Sequence, residues 1–248
     1  MDGTDDQQAA QAAQGAQAAQ ASARSWPLLG ALALLAGVNV LNNAAAPDLY
    51  LLWACVAIVG LALLARADGL TRRDWGLGPV TGTAARATAV LAAVTAIVML
   101  VGTQLPGVAD AYRDERVVGM GGAEVAFAAF VRVPVGTAFL EEMAFRGVLL
   151  AMLTRRYGLA RGVAGSCLAF GAWHLFPAVG LTAGNAALGS ALGSHSLVSV
   201  AVGMVAAGLA GAFLCLLRIR YDHLIAPLAV HATANSLAYL LAWIMLRP

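Results

Sequence analysis

The chain has 248 residues, 60% of them in the apolar set and 11% charged. A soluble domain carries roughly 25% charged residues, so the charge deficit excludes an ordinary soluble fold and points to a lipid-facing chain. The net charge of +2 gives no support to a nucleic-acid partner. All basic residues are arginine, a residue that snorkels well at membrane interfaces. Three cysteines, Cys55, Cys167 and Cys215, lie in apolar stretches without a shared motif. They read as small core residues, not as a disulfide framework.

Residues 1–24 are a low-complexity tract with Gln at 8, 11, 14, 17 and 20. The expectation there is a disordered Gln/Ala-rich tail. Its acidic start (Asp2, Asp5, Asp6) and long polar run do not fit a secretory signal. Seven long apolar stretches follow, at 27–46, 49–66, 84–105, 123–154, 158–178, 196–217 and 224–246. A span needs about 20 apolar residues, and a backbone in hydrocarbon must satisfy its own hydrogen bonds, so these are expected to be helices.

The fourth stretch is too long for a single upright span. It also contains Arg132, Pro134, Gly136, Glu141, Glu142 and Arg146. It is expected to be either strongly tilted or broken near Pro134–Gly136, and a break would add a helix. The fold class expected is therefore all-α, a polytopic membrane helix bundle with seven or eight transmembrane helices. Residues 25–122 would form N-terminal transmembrane helices and residues 123–248 a second membrane domain.

Arginines cluster after the second stretch (Arg66, Arg72, Arg73, Arg86), the fourth (Arg155, Arg156, Arg161) and the sixth (Arg218, Arg220). The intervening loops are poor in them or carry matching acids. The positive-inside rule then puts the N-terminus in the cytoplasm and, with seven spans, the C-terminus outside. The expected setting is a bacterial plasma membrane, crossed several times. No internal repeat is visible, which leaves an inverted-repeat carrier without support.

Charge inside the membrane is expensive, roughly 2.5–3.5 kcal/mol for one group at mid-depth. Three constellations carry it here. The first is Glu141-Glu142-Met143-Ala144-Phe145-Arg146. Glu142 and Arg146 are four apart and can pair on a helix. Glu141 would point about 100° away and stay free for chemistry. The second is Phe170-Gly171-Ala172-Trp173-His174, in which Trp173 reads as an interfacial belt residue. The third is His231-Ala232-Thr233-Ala234-Asn235, with His and Asn on one face.

Each constellation also has a purely structural reading, as an ion pair, a core histidine or helix–helix glue. Together they supply two carboxylates, two imidazoles, an amide and a guanidinium. A Glu and a His can share a water and remove its proton. A second His and an Asn can stabilise an oxyanion. No Ser or Cys has a basic partner nearby, which favours water attack over a covalent intermediate. His195 and His223 read as solvated loop residues. Arg132 is expected to face away, pairing with Glu124 or snorkelling outward.

In this order, EEMAFR, FGAWH and HATAN resemble the EExxxR, FxxxH and HxxxN motifs of the CPBP family (CAAX proteases and bacteriocin-processing enzymes, also called the abortive-infection family). The likeness covers about residues 123–240, with no departure at a motif position. It implies an intramembrane endopeptidase similar to type II CAAX prenyl proteases, acting on a membrane-associated protein or peptide. It also implies that Glu141 and His174 activate water, that His231 and Asn235 form the oxyanion site, and that Glu142 and Arg146 orient it. Both a metal-free mechanism and a single Zn²⁺ held by Glu141, His174 and His231 are compatible with the motifs. The competing readings are a non-catalytic membrane scaffold, a bacteriocin-immunity or processing partner that keeps the fold, and a proton-coupled carrier.

Depth poses a difficulty. Counted along straight helices, His231 lies near 10 Å and His174 near 24 Å from the arginine-rich end. Bending or uneven insertion is expected to bring them together, in a cavity opening to the cytoplasm.

Overall fold

The computed structural model describes residues 25–183, 185, 189–190 and 197–247. The Gln/Ala tract and His195 lie outside them. The described residues are helical, with helices α1 (Ser25–Ala45), α2 (Tyr50–Ala67), α3 (Gly82–Gly102), α4 (Gly122–Tyr157), α5 (Leu159–Trp173), α6 (Leu175–Ala183), α7 (Leu197–Tyr221) and α8 (Ile225–Met245).

Among the described residues, six helices are long and apolar enough to cross a membrane: α1, α2 with its preceding turn, α3, α4, α7 and α8. Val90, Val94, Ile97 and Val98 on α3, and Val198, Val205 and Leu209 on α7, are exposed. Apolar faces of this kind are stable against lipid, where backbone polar groups are satisfied within each helix.

One expectation is revised, and one of two alternatives is selected. The fifth apolar stretch is not one span. It divides at His174 (φ −83°, ψ 8°) into α5, of 15 residues, and α6, of nine. Each is shorter than a bilayer requires. Pro177 explains the break: it has no N–H to return to the carbonyl of Trp173, four residues earlier. The fourth stretch, by contrast, is one continuous helix of 36 residues. Its turns widen to π-helical geometry over Ala128–Phe139 and again over Glu142–Leu149. The first wide stretch absorbs Pro134 without a break, and wide turns of this kind recur at functional sites.

Helix α4 packs against both α5 and α8, while α3 lies along α8 and α7 along α5. Gly158 turns the chain from α4 into α5 at φ +83°, a conformation that favours glycine. Gly171 lets α5 approach α7 closely: a Cβ there would stand 2.8 Å from the carbonyl oxygen of Met204. The main core joins Leu28, Leu35 and Val38 of α1 and Ala54, Ala57 and Leu61 of α2 to Leu140–Met152, Phe170 and Trp173. At the arginine-rich end, buried Asp68 pairs with Arg155 and Arg156, tying the end of α2 to the end of α4.

Arg132 does not pair with Glu124. Its Nη2 donates to the Tyr239 hydroxyl at 2.8 Å, while Glu124 accepts from the Gly121 N–H. His223 is half-buried, not solvated. Its Nε2 donates to the Gly78 carbonyl at 3.0 Å, and its Nδ1 accepts from the Ile225 N–H that opens α8.

Candidate active site

Helices α4, α5 and α8 supply the three motifs. Glu141 lies between the two wide-turn stretches of α4 and Glu142 opens the second, both buried. Arg146 Nη1 donates to Glu142 Oε1 at 3.1 Å, the i,i+4 pair the spacing anticipates. The same oxygen accepts from His231 Nδ1 at 2.7 Å. On the other side of the ring, His231 Nε2 stands 3.6 Å from Glu141 Oε2. The adjacent glutamates therefore face one imidazole, in place of the divergence expected from a regular α-helix. A wide turn narrows the angle between neighbours.

Glu141 is not left free. Trp173 Nε1 donates to its Oε1 at 2.9 Å. Trp173 is buried in the core and is not an interfacial belt residue. Its carbonyl, released by Pro177, accepts from Asn39 Nδ2 of α1 at 3.1 Å. Among the described residues, Glu141 Oε2 has no hydrogen-bond partner. The carboxylate is thus gripped at one oxygen and open at the other.

His174 Nδ1 lies 2.9 Å from the Phe170 carbonyl. A carbonyl can only accept, so Nδ1 carries the proton and Nε2 presents its lone pair. Phe170 gathers the site. Its ring stands 4.5 Å from that of His174 and 6.1 Å from that of His231, and the Arg146 guanidinium lies 3.9 Å over it. The two histidines that straight helices would separate in depth thus meet around one aromatic side chain.

His174 and Asn235 line a cavity of about 340 Å³ together with Tyr112, Asp114, Arg116 and Tyr239. This cavity is bounded by Ala111–Val117, the loop opposite the arginine-rich side. The arginine pattern led to the reverse expectation for the opening. The difference arises because α5 and α8 both start at the arginine-rich side, and His174 and Asn235 lie further along them. Glu141, Glu142 and His231 do not line this cavity. Asn235 and His231 share a helix, yet the amide borders the cavity and the imidazole is held by the carboxylates.

The ring nitrogens of His174 and His231 bear on whether Glu141, His174 and His231 hold a single Zn²⁺. Each histidine holds Nδ1 on an oxygen acceptor, Glu142 for His231 and the Phe170 carbonyl for His174, and keeps Nε2 as its coordinating nitrogen. No group of three His, Cys, Asp or Glu side chains among the described residues is spaced to hold a metal ion.

Sequence reasoning missed Trp173 and Asn39 as neighbours of the site. The proline four residues after Trp173 was the available signal, since it leaves a carbonyl needing a donor.

The fold and this cluster define a membrane protein with a buried acid–imidazole site. Residues 123–237 match the family model described as type II CAAX prenyl endopeptidase, Rce1-like. The matched segment contains all three motifs. No curated protein and no solved structure matches the chain.

Proposed function

We propose that the chain is an intramembrane endopeptidase that hydrolyses a peptide bond in a membrane-associated protein or CAAX-like peptide, using a water activated by Glu141 and His174. The observation that carries this reading is the asymmetry of Glu141: Oε1 is fixed by Trp173, while Oε2 is buried without a hydrogen-bond partner and stands 3.6 Å from His231 Nε2. A carboxylate held this way is positioned as a general base.

In the proposed reaction the water oxygen bonds to the carbonyl carbon of the client. Its proton passes to Glu141 Oε2, with the His174 Nε2 lone pair as the second acceptor. The C–N bond then breaks, and the same proton leaves with the amine. Asn235, on the cavity wall, donates to the oxyanion. His231 acts through Glu141, across the 3.6 Å gap that its Nε2 faces. Glu142 and Arg146 orient His231. In this reading residues 123–248 are the catalytic membrane domain and residues 25–122 brace it.

The test is cleavage of a membrane-anchored peptide library by protein reconstituted in vesicles. Cleavage should be lost in Glu141→Gln and His174→Ala while both variants keep the helical content and melting behaviour of the parent. Cleavage that survives in both would sink the water-activation reading. A parent protein that binds clients without cutting any would favour the scaffold reading.

A further inference from the structure

A second cavity, of about 520 Å³, opens on the arginine-rich side between the ends of α4 and α7, the start of α5 and the segment Leu70–Asp74. Four arginines (Arg73, Arg146, Arg155, Arg218) and two carboxylates (Asp74, Asp222) line it. Arg155 is committed to Asp68.

Arg73 Nε stands 3.8 Å from Asp222 Oδ2, and the buried donors are less well matched. Arg218 is 7% exposed. Its Nη1 donates to Asp222 Oδ1 and its Nη2 to the Asp74 carbonyl, each at 3.0 Å. Its Nε is buried without a partner, as are Thr154 Oγ1 and the Nε and Nη2 of Arg146. Gly76, at φ +78°, holds the Arg218 guanidinium in close contact, and a Cβ there would collide with it. The guanidinium is therefore seated by the backbone and is not free to swing into solvent.

A buried donor without an acceptor forfeits a hydrogen bond it would have had in water. Several on the residues of one cavity call for a ligand rich in acceptors. Arginine clusters match the tetrahedral oxygens of phosphate. The cavity also lies at the end of the bundle where the basic loops gather, the level at which lipid headgroups are met.

We infer that this cavity binds a phosphate group through Arg218, Arg73 and Thr154, with Arg146 behind them. The phosphate comes from a phospholipid headgroup or from free inorganic phosphate. Arg146 lines this cavity and donates to Glu142 from Nη1, so occupancy is felt by Glu142.

The experiment uses the purified full-length chain in a neutral detergent at fixed ionic strength. Inorganic phosphate, short-chain phosphatidylglycerol and a diacylglycerol of the same chain length are titrated separately while the melting temperature is followed. A saturable rise with phosphatidylglycerol alone identifies the headgroup as the source. A rise with inorganic phosphate as well identifies phosphate itself. In either case the midpoint should weaken about ten-fold in Arg218→Gln and in Arg73→Gln.

The Arg73 side chain is 79% exposed, so its replacement spares the fold and decides the matter if Arg218→Gln does not fold. No response to either phosphate probe, an equal response to the diacylglycerol, or midpoints unchanged in the variants would overturn the inference. The melting temperature reads binding without any turnover, which separates this result from the outcome of the cleavage test.

Discussion

Trp173 Nε1 donates to Glu141 Oε1 across 2.9 Å and joins the end of α5 to the middle of α4. The bond leaves the second oxygen of the same carboxylate facing His231 at 3.6 Å. Trp173→Phe removes the donor and keeps an aromatic ring beside Phe145, whose centroid is 5.8 Å away. A misaligned base should lower kcat by about ten- to hundred-fold with KM little changed. Steady-state kinetics on a membrane-anchored peptide measure the split. A loss confined to KM would assign Trp173 to client binding instead.

Glu141→Gln preserves the oxygen that Trp173 grips and abolishes the base. Cleavage should fall by about 10²–10⁴-fold, with the melting temperature unchanged or raised, because a buried charge has been removed. Residual turnover near the parent rate is the outcome that contradicts the proposed mechanism.

The Glu142–Arg146 pair has a different signature. Both side chains are fully buried, and removing one partner strands the other. Arg146→Ala should destabilise the chain by about 3–5 kcal/mol. Replacing both together, Glu142→Gln with Arg146→Met, should recover a large part of that loss and no activity. Denaturation in mild detergent, run beside the cleavage assay, reads both.

Gly171→Ala tests the packing on which the second motif depends. The Cβ would meet backbone, the Met204 carbonyl at 2.8 Å, and backbone cannot turn aside. Overpacking of this kind should cost about 1–3 kcal/mol. It should also shift His174, so activity should drop more than stability. Denaturation and cleavage measured on the same preparation give that comparison.

Outside the membrane, the hydroxyl and N–H of Thr71 donate to the Asp74 carboxylate at 2.7 Å and hold its pKa below the usual carboxylate value. A depressed folded-state pKa stabilises the turn above the unfolded value, about 3.9, and the contribution is lost as pH falls through the folded value. Asp74→Asn should therefore loosen the Thr71–Asp74 turn at neutral pH and make little difference in strong acid. Hydrogen exchange of the segment 68–78 at the two pH values reports it.

The helical membrane character was legible because composition and run length answer to the solvent. The Glu142–Arg146 pair was legible because an i,i+4 offset survives in a somewhat widened helix. The convergence of both glutamates on His231 was not, since it depends on wide turns that no residue pattern announced. Trp173 was misread because its partners, Glu141 and Asn39, are 32 and 134 residues away in sequence. The opening of the cavity was misread because loop charge reports where arginines gather and not how far along its helix a histidine lies.

The core that α1 and α2 share with the motif-bearing part of α4 bears on how the molecule can be cut. The family likeness starts at residue 123, but the folding unit does not. A truncation at that point would strip Leu140, Met143 and Leu149 of the side chains they pack against and take away the amide that holds the Trp173 carbonyl. The N-terminal helices are part of the packing that holds the motif-bearing helices, and a fragment that keeps the Asn39–Trp173 bond has to begin before Asn39.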